Sequence, residues 1–185
     1  TGTHNTIVGS EAGDAVTTAT WSTLVGVGAG GVITTGVQNT FIGGGSGDAT
    51  TTGAYNTGVG YASLGSNITG IANTALGYNA AAANTTDGIT AVGKDALELN
   101  TSGINTAVGA NALATVTSGT ANAALGNDAL TLNTGSYNTA VGYASLDANT
   151  TASYNQAMGD GALRSNTTGT RNIALGYQAL YTNTT

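Results

Sequence analysis

A glycine preceded by an aliphatic residue or Met returns at Gly9, Gly26, Gly43, Gly60, Gly77, Gly93, Gly109, Gly126, Gly142, Gly159 and Gly176, each 16 or 17 residues after the last. Nothing else in the chain limits its fold so tightly. So short a unit cannot hold the two helices of the common helical arrays, which take ~34 residues or more per repeat. It can hold one coil of a β-solenoid. A good copy runs from Tyr137 to Ser153 and combines β-branched residues with Asn and Gly at fixed turn offsets, and the whole chain contains no Pro. The expected fold is therefore all-β: a parallel β-solenoid, or β-roll, of about eleven coils of 16–17 residues forming one array over residues 1–185, with no linker or second domain. Coils stacked at ~4.8 Å would make a rod roughly 50 Å long.

Numbering each repeat from its Gly as position 0 turns the chain into columns. Position −1 is Val8, Val25, Ile42, Val59, Leu76, Val92, Val108, Leu125, Val141, Met158 and Leu175, and this unbroken apolar column reads as the structural core. Position −4 is Asn in nine of eleven copies, and a second Asn column stands at +7. Asn at fixed offsets marks turns and can stack into hydrogen-bonded ladders. Position +3 is always Ala or Ser, as a tight site requires. Positions −2 and +4 trade size. Ile7, Leu24 and Phe41 oppose Gly13, Gly30 and Gly47, and from the fourth copy the order inverts, as in Gly58 with Leu64 and Ala107 with Leu113. Close packing demands this if the two positions share one slot.

Positions −2 and −1 are adjacent, so they point to opposite faces of a strand, yet in the first three copies both are large and apolar. A strand apolar on both faces is covered on both. One coil's interior covers one of them, so an obligate oligomer is expected. Both ends fall in the same register of the repeat, and the chain reads as a section of a longer array.

Composition excludes several functions. Only 6% of residues are charged, net charge is −6 and there is no Cys, which removes disulfides and thiolate metal sites. Three basic residues, Lys94, Arg164 and Arg171, cannot neutralise a nucleic-acid backbone. No apolar run reaches the ~18–20 residues of a membrane span. His4 is the only imidazole, so no Ser–His–Asp constellation recurs, and Asp95, Glu98, Asp128, Asp147 and Asp160 stand in variable columns as solvated edges do. Gly13-Asp14-Ala15 and Gly47-Asp48-Ala49 share a column without forming the calcium nonapeptide, and Gly43-Gly44-Gly45-Ser46-Gly47 lacks the Lys of a phosphate loop. No enzyme activity, catalytic residue, cofactor or metal is expected.

The strings Asn138-Thr139-Ala140-Val141-Gly142-Tyr143 and Gly176-Tyr177-Gln178-Ala179-Leu180, with Asn183-Thr184-Thr185, resemble repeats of bacterial surface adhesins and phage tail fibres. They are also similar to the head repeat of the YadA-like trimeric autotransporter adhesins, with its Asn-Ser-Val-Ala-Ile-Gly core. This chain has one residue fewer between Asn and Gly, and a longer period. The resemblance implies a left-handed β-roll that trimerises about the fibre axis and serves attachment outside the cell. It carries over no catalytic or binding residue.

Two surface features suit contact. Tyr61, Tyr78, Tyr143 and Tyr177 share position +1, where a flat amphipathic side chain can meet a partner or bridge coils. Asn67, Asn84, Asn100, Asn149, Asn166 and Asn183 are the six Asn-x-Ser/Thr acceptors, all at +7, and would carry a stripe of glycans if glycosylated; the plainer reading is that Asn-Thr-Thr is the turn chemistry of the coil. The expected function is a non-enzymatic structural segment of an extracellular fibre, on a bacterial surface or a virion. It would act as a rigid shaft or display surface for cell adhesion. Expected partners are further copies of the chain, as a homotrimer or higher filament, and a cell-surface glycan or protein receptor. The alternatives are an ice-binding solenoid, on the Thr column at −3, and a carbohydrate-active solenoid, which would need clustered carboxylates.

Overall fold

The computed structural model describes residues 2–185. Its strands are β1 (Thr6–Val8), β2 (Thr23–Val25), β3 (Thr40–Ile42), β4 (Thr57–Val59), β5 (Thr74–Leu76), β6 (Thr90–Val92), β7 (Thr106–Val108), β8 (Ala123–Leu125), β9 (Thr139–Val141), β10 (Gln156–Met158) and β11 (Ile173–Leu175). They pair in parallel and in chain order into one eleven-stranded sheet. Like columns meet like: Thr6 lies opposite Thr23, Ile7 opposite Leu24 and Val8 opposite Val25. The expected β-solenoid of about 17-residue coils is the fold found, and among the described residues no helix is long and apolar enough to cross a membrane.

The Gly at position 0 is required twice over. Its φ lies between +125° and +145° in all eleven coils, a region that only glycine adopts readily. A Cβ there would also sit 2.3–2.6 Å from backbone atoms of the next coil's Gly in coils one to ten. Coil stacking and backbone hand thus select the same residue.

After the Gly the chain turns back across the interior in left-handed steps at +2 and +4, and position +4 has φ between 50° and 60° in every coil. Coils one to three put Gly there; seven of the other eight put Leu. A left-handed Leu costs about 1–2 kcal/mol. Burying its side chain returns about 1.5–3 kcal/mol, and Leu64, Leu97, Leu113, Leu130, Leu146 and Leu163 are fully buried. Burial wins.

The slot shared by −2 and +4 is visible directly in the first coils. A Cβ on Gly13 would come 2.9 Å from both Ile7 Cδ1 and Leu24 Cδ1, and one on Gly30 would come 2.8 Å from Leu24 Cδ2. From the fourth coil the strand residue is small and the left-handed Leu fills the space. The core is a single file of these side chains with the Ala or Ser of +3 beside it, as at Ala96, Ala112 and Ala129.

Asn at −4 ties the coils together at the strand entrance. Asn56 Nδ2 donates to the Gly70 carbonyl at 2.8 Å while its Oδ1 accepts the Asn73 amide at 3.0 Å. Asn39, Asn122, Asn138 and Asn155 repeat the arrangement. These side chains are buried, and each fulfils a backbone donor and acceptor that parallel pairing leaves over.

Candidate interaction surface

Each strand has three residues and only the middle one, at −2, points inward. Leu24, Phe41, Ala75, Ala91, Ala107 and Ala140 are fully buried. Positions −3 and −1 share the outward face. This corrects the core assignment of the −1 column. Val8, Ile42, Leu76, Leu125, Met158 and Leu175 are 38–75% exposed, and Val25, Val59, Val92, Val108 and Val141 are half-buried. The reason is the two-residue pleat, which places −1 with the Thr of −3 and leaves the interior to −2. The unbroken apolar column belongs to the outside of the sheet.

That face is therefore a long strip of Thr beside aliphatic side chains. Thr6, Thr57, Thr74, Thr106 and Thr139 are exposed and Thr23, Thr40 and Thr90 half-buried. Near β10 and β11, where Gln156 and Ile173 replace Thr and Met158 and Leu175 replace Val, the strip deepens into a trough of about 240 Å³ floored by Ala157 and Ala174.

The Asn of the sequons lie inside, as the turn reading of Asn-Thr-Thr requires and contrary to a place for them as surface contacts or glycan acceptors. Asn67, Asn84, Asn100, Asn149 and Asn166 are fully buried and Asn183 is partly so. Their amides form a ladder: Asn100 Nδ2 donates to Asn84 Oδ1 at 2.8 Å, Asn149 to Asn133 at 2.6 Å and Asn166 to Asn149 at 3.1 Å. Cross-links join the two Asn columns, Asn105 to Asn100 at 3.0 Å and Asn138 to Asn133 at 3.2 Å. The nitrogen that would carry a sugar is a buried donor. The Thr that follows Asn149 points out and hydrogen-bonds the same column of the next coil, Thr150 Oγ1 donating to the Thr167 carbonyl at 3.2 Å. Asn-Thr-Thr is the turn chemistry of the coil.

The four tyrosines are where the sequence places them, on the surface at +1: Tyr61, Tyr78, Tyr143 and Tyr177 are about half exposed or more. Tyr61 and Tyr78, one coil apart, stack with centroids at 5.5 Å, and Lys94 in the next coil lies 6.0 Å from the Tyr78 ring. A second column, at −5, is planar in several coils, and its stacking is seen in the structure. His4 stacks on Trp21 at 4.0 Å, Tyr137 on Tyr154 at 5.0 Å, and Arg171 lies 5.6 Å from the Tyr154 ring. The signal was present in the sequence, because planar residues in one column of adjacent copies must meet at the coil spacing.

Charges sit at the edges. Lys94 pairs with Asp95, and the hydrogen bond to that carboxylate raises the ammonium pKa above its ordinary 10.5. Arg164 donates to Tyr181 Oη at 3.1 Å and approaches Asp147 at 3.7 Å; the Tyr181 hydrogen bond holds its pKa above the usual value. His4 is exposed, stacked on Trp21 and within 3.0 Å of Thr3 Oγ1, with no nucleophile–base–acid arrangement around it. Among the described residues, no three His, Cys, Asp or Glu are grouped to hold a metal.

The outward strip and its bordering columns of rings form one continuous candidate contact surface. Comparison with protein-family models, curated proteins and solved structures finds no match to the chain.

Proposed function

We propose that this chain is a structural segment of an extracellular fibre, a stiff shaft that associates with two further copies through the outward strip and displays or spaces attachment elements. The observation that carries the reading is the −1 column: eleven apolar side chains in one line on the outer face of the sheet, six of them exposed and five half-buried in the single chain. Monomeric soluble proteins rarely expose an apolar surface so extended. Covering the exposed half of each side chain gains about 1 kcal/mol. One coil's worth cannot offset the ~4–15 kcal/mol that association costs, whereas the whole column, about ten times more, is of that order. Association is therefore favoured only along the full length, with chains side by side. The low charge, the absence of Cys and Pro and the repeated side-chain ladders suit a rod whose role is length and stiffness.

Light scattering on the 185-residue chain tests this. The expected mass is three times 17.9 kDa. Val108→Asp with Leu125→Asp, both on the outward face, should give monomers with an unchanged β-sheet circular dichroism spectrum. A wild-type chain that stays monomeric at every concentration overturns the reading. Ice binding is the second reading, favoured by the outward Thr residues at −3. Ala123, Gln156 and Ile173 interrupt that column. Thermal hysteresis from a monomeric chain would replace the first reading with the second.

A further inference from the structure

All three of the chain's cations lie over a tyrosine one coil away: Lys94 over Tyr78 at 6.0 Å, Arg164 over Tyr181 at 5.9 Å and Arg171 over Tyr154 at 5.6 Å. Column neighbours on this scaffold thus fall at the limit of cation–π attraction, which reaches ~6 Å from a ring centroid. Position +1 shows the rule in coils four to six, where Tyr61, Tyr78 and Lys94 form a ring–ring–cation column. Coils nine to eleven carry a different order in the same column: Tyr143, Asp160, Tyr177.

Here the two rings are separated by a carboxylate. Tyr143 is 52% and Tyr177 73% exposed, and Asp160 is exposed as well. Among the described residues, neither ring stacks on another, and the Asp160 carboxylate makes no hydrogen bond or ion pair. The backbone holds the three positions in line: the Gly161 amide donates to the Tyr143 carbonyl at 2.9 Å and the Gln178 amide to the Asp160 carbonyl at 2.8 Å. Tyr143 and Tyr177 are two coils apart, ~9.6 Å along the rod; with their rings set across the rod as those of Tyr61 and Tyr78 are, a group midway would be ~4.8 Å from each ring plane. Asp is the shorter side chain, so in that arrangement its carboxylate reaches less far out than the rings on either side of it. The faces of the rings carry negative potential. With a carboxylate between them, all three groups favour a positive charge, and Arg164, whose charge is felt at Tyr143, has its guanidinium held by Tyr181 and Asp147.

We propose that Tyr143, Asp160 and Tyr177 form a clamp for a methylated ammonium group. Methyl carbons make contact at ~3.5–4.0 Å, so a nitrogen ~4.8 Å from each ring is reached by a cation whose methyls touch both faces. A bare ammonium, being smaller, would contact one ring at a time. The clamp stands at position +1, beside the outward strip.

Tetramethylammonium chloride titrated into the full 185-residue chain tests the site, with ring resonances of the tyrosines followed by NMR at constant ionic strength. Saturable shifts are expected at Tyr143 and Tyr177 and none at Tyr61. Asp160→Asn and Tyr177→Leu, both surface changes, should each weaken binding by about threefold, while Tyr61→Leu leaves it unchanged. Uncharged tert-butanol, of the same shape, should produce no saturable shift. The absence of a saturable shift, equal shifts at Tyr61, binding of tert-butanol as strong as that of the cation, or full binding by Asp160→Asn would each overturn the clamp. Ammonium chloride binding as well as tetramethylammonium would overturn the preference for a methylated cation.

Discussion

A Cβ placed on Gly47 would lie 2.5 Å from three ring carbons of Phe41, the strand residue of the same coil. The two residues occupy one slot, and the ring takes all of it. Gly58, the strand residue of the next coil, would carry its Cβ 2.8 Å from Ser46 Oγ and 3.1 Å from Phe41 Cδ1. Ser46 and Phe41 together therefore require a small strand residue in the coil that follows, where Leu64 takes over the filling from the other side.

Gly47→Ala should destabilise the chain by about 1–3 kcal/mol through overpacking. In the Phe41→Leu background the same change should cost less, because the shorter side chain vacates the ring position. Denaturant midpoints for the four members of the cycle check this, and equal costs in both backgrounds would show that the two residues do not compete for space.

Leu113→Ala, in a coil of the inverted kind, should cost about 2–4 kcal/mol as a fully buried large-to-small change. Ala107→Leu in the same chain should restore part of the loss by filling the slot from the strand side. Strict additivity of the two changes in thermal or denaturant melts would refute a shared slot in this coil.

Asn138→Ala removes three hydrogen bonds at once: the donors to Ala152 and Asn133 and the acceptor of the Asn155 amide. Leaving buried partners unsatisfied costs about 1–3 kcal/mol each, so a loss of several kcal/mol is expected. The Asn155 amide should be the site of greatest increase in hydrogen exchange. Unchanged exchange there would mean that the ladder does not hold the coils.

Asn149 should carry no glycan when the chain is secreted from a glycosylating host, since its amide nitrogen is buried and bonded to Asn133 and the Ala152 carbonyl. Intact mass before and after glycosidase treatment checks it. A folded, glycosylated Asn149 would contradict the inward orientation of the whole +7 column.

The repeat, the strand positions and the shared slot were legible because each depends on spacing and volume, which a sequence states directly. The direction of the strand was not. Val25 and Leu24 are both aliphatic, and only the presence of Thr23 on the same side as Val25 reveals which faces water. Buried Asn likewise looks like surface Asn: Asn149 followed by two Thr fits a glycan acceptor as well as a turn until its amide is seen bonded to Asn133. Leu at +4 hides its left-handed backbone, because the signal for that conformation is Gly or Asn, and only Gly13, Gly30 and Gly47 in the same column betray it. The ring columns were legible in principle, but they needed the coil spacing before Tyr137 and Tyr154 could be seen as neighbours.

The fibre reading is tested most directly by cryo-electron microscopy class averages viewed down the rod axis, which count chains and show which face lies between them. Three solenoid cross-sections are predicted, with the column from Val8 to Leu175 turned toward the common axis. A single cross-section, or three joined through another face with that column open to solvent, would contradict the account.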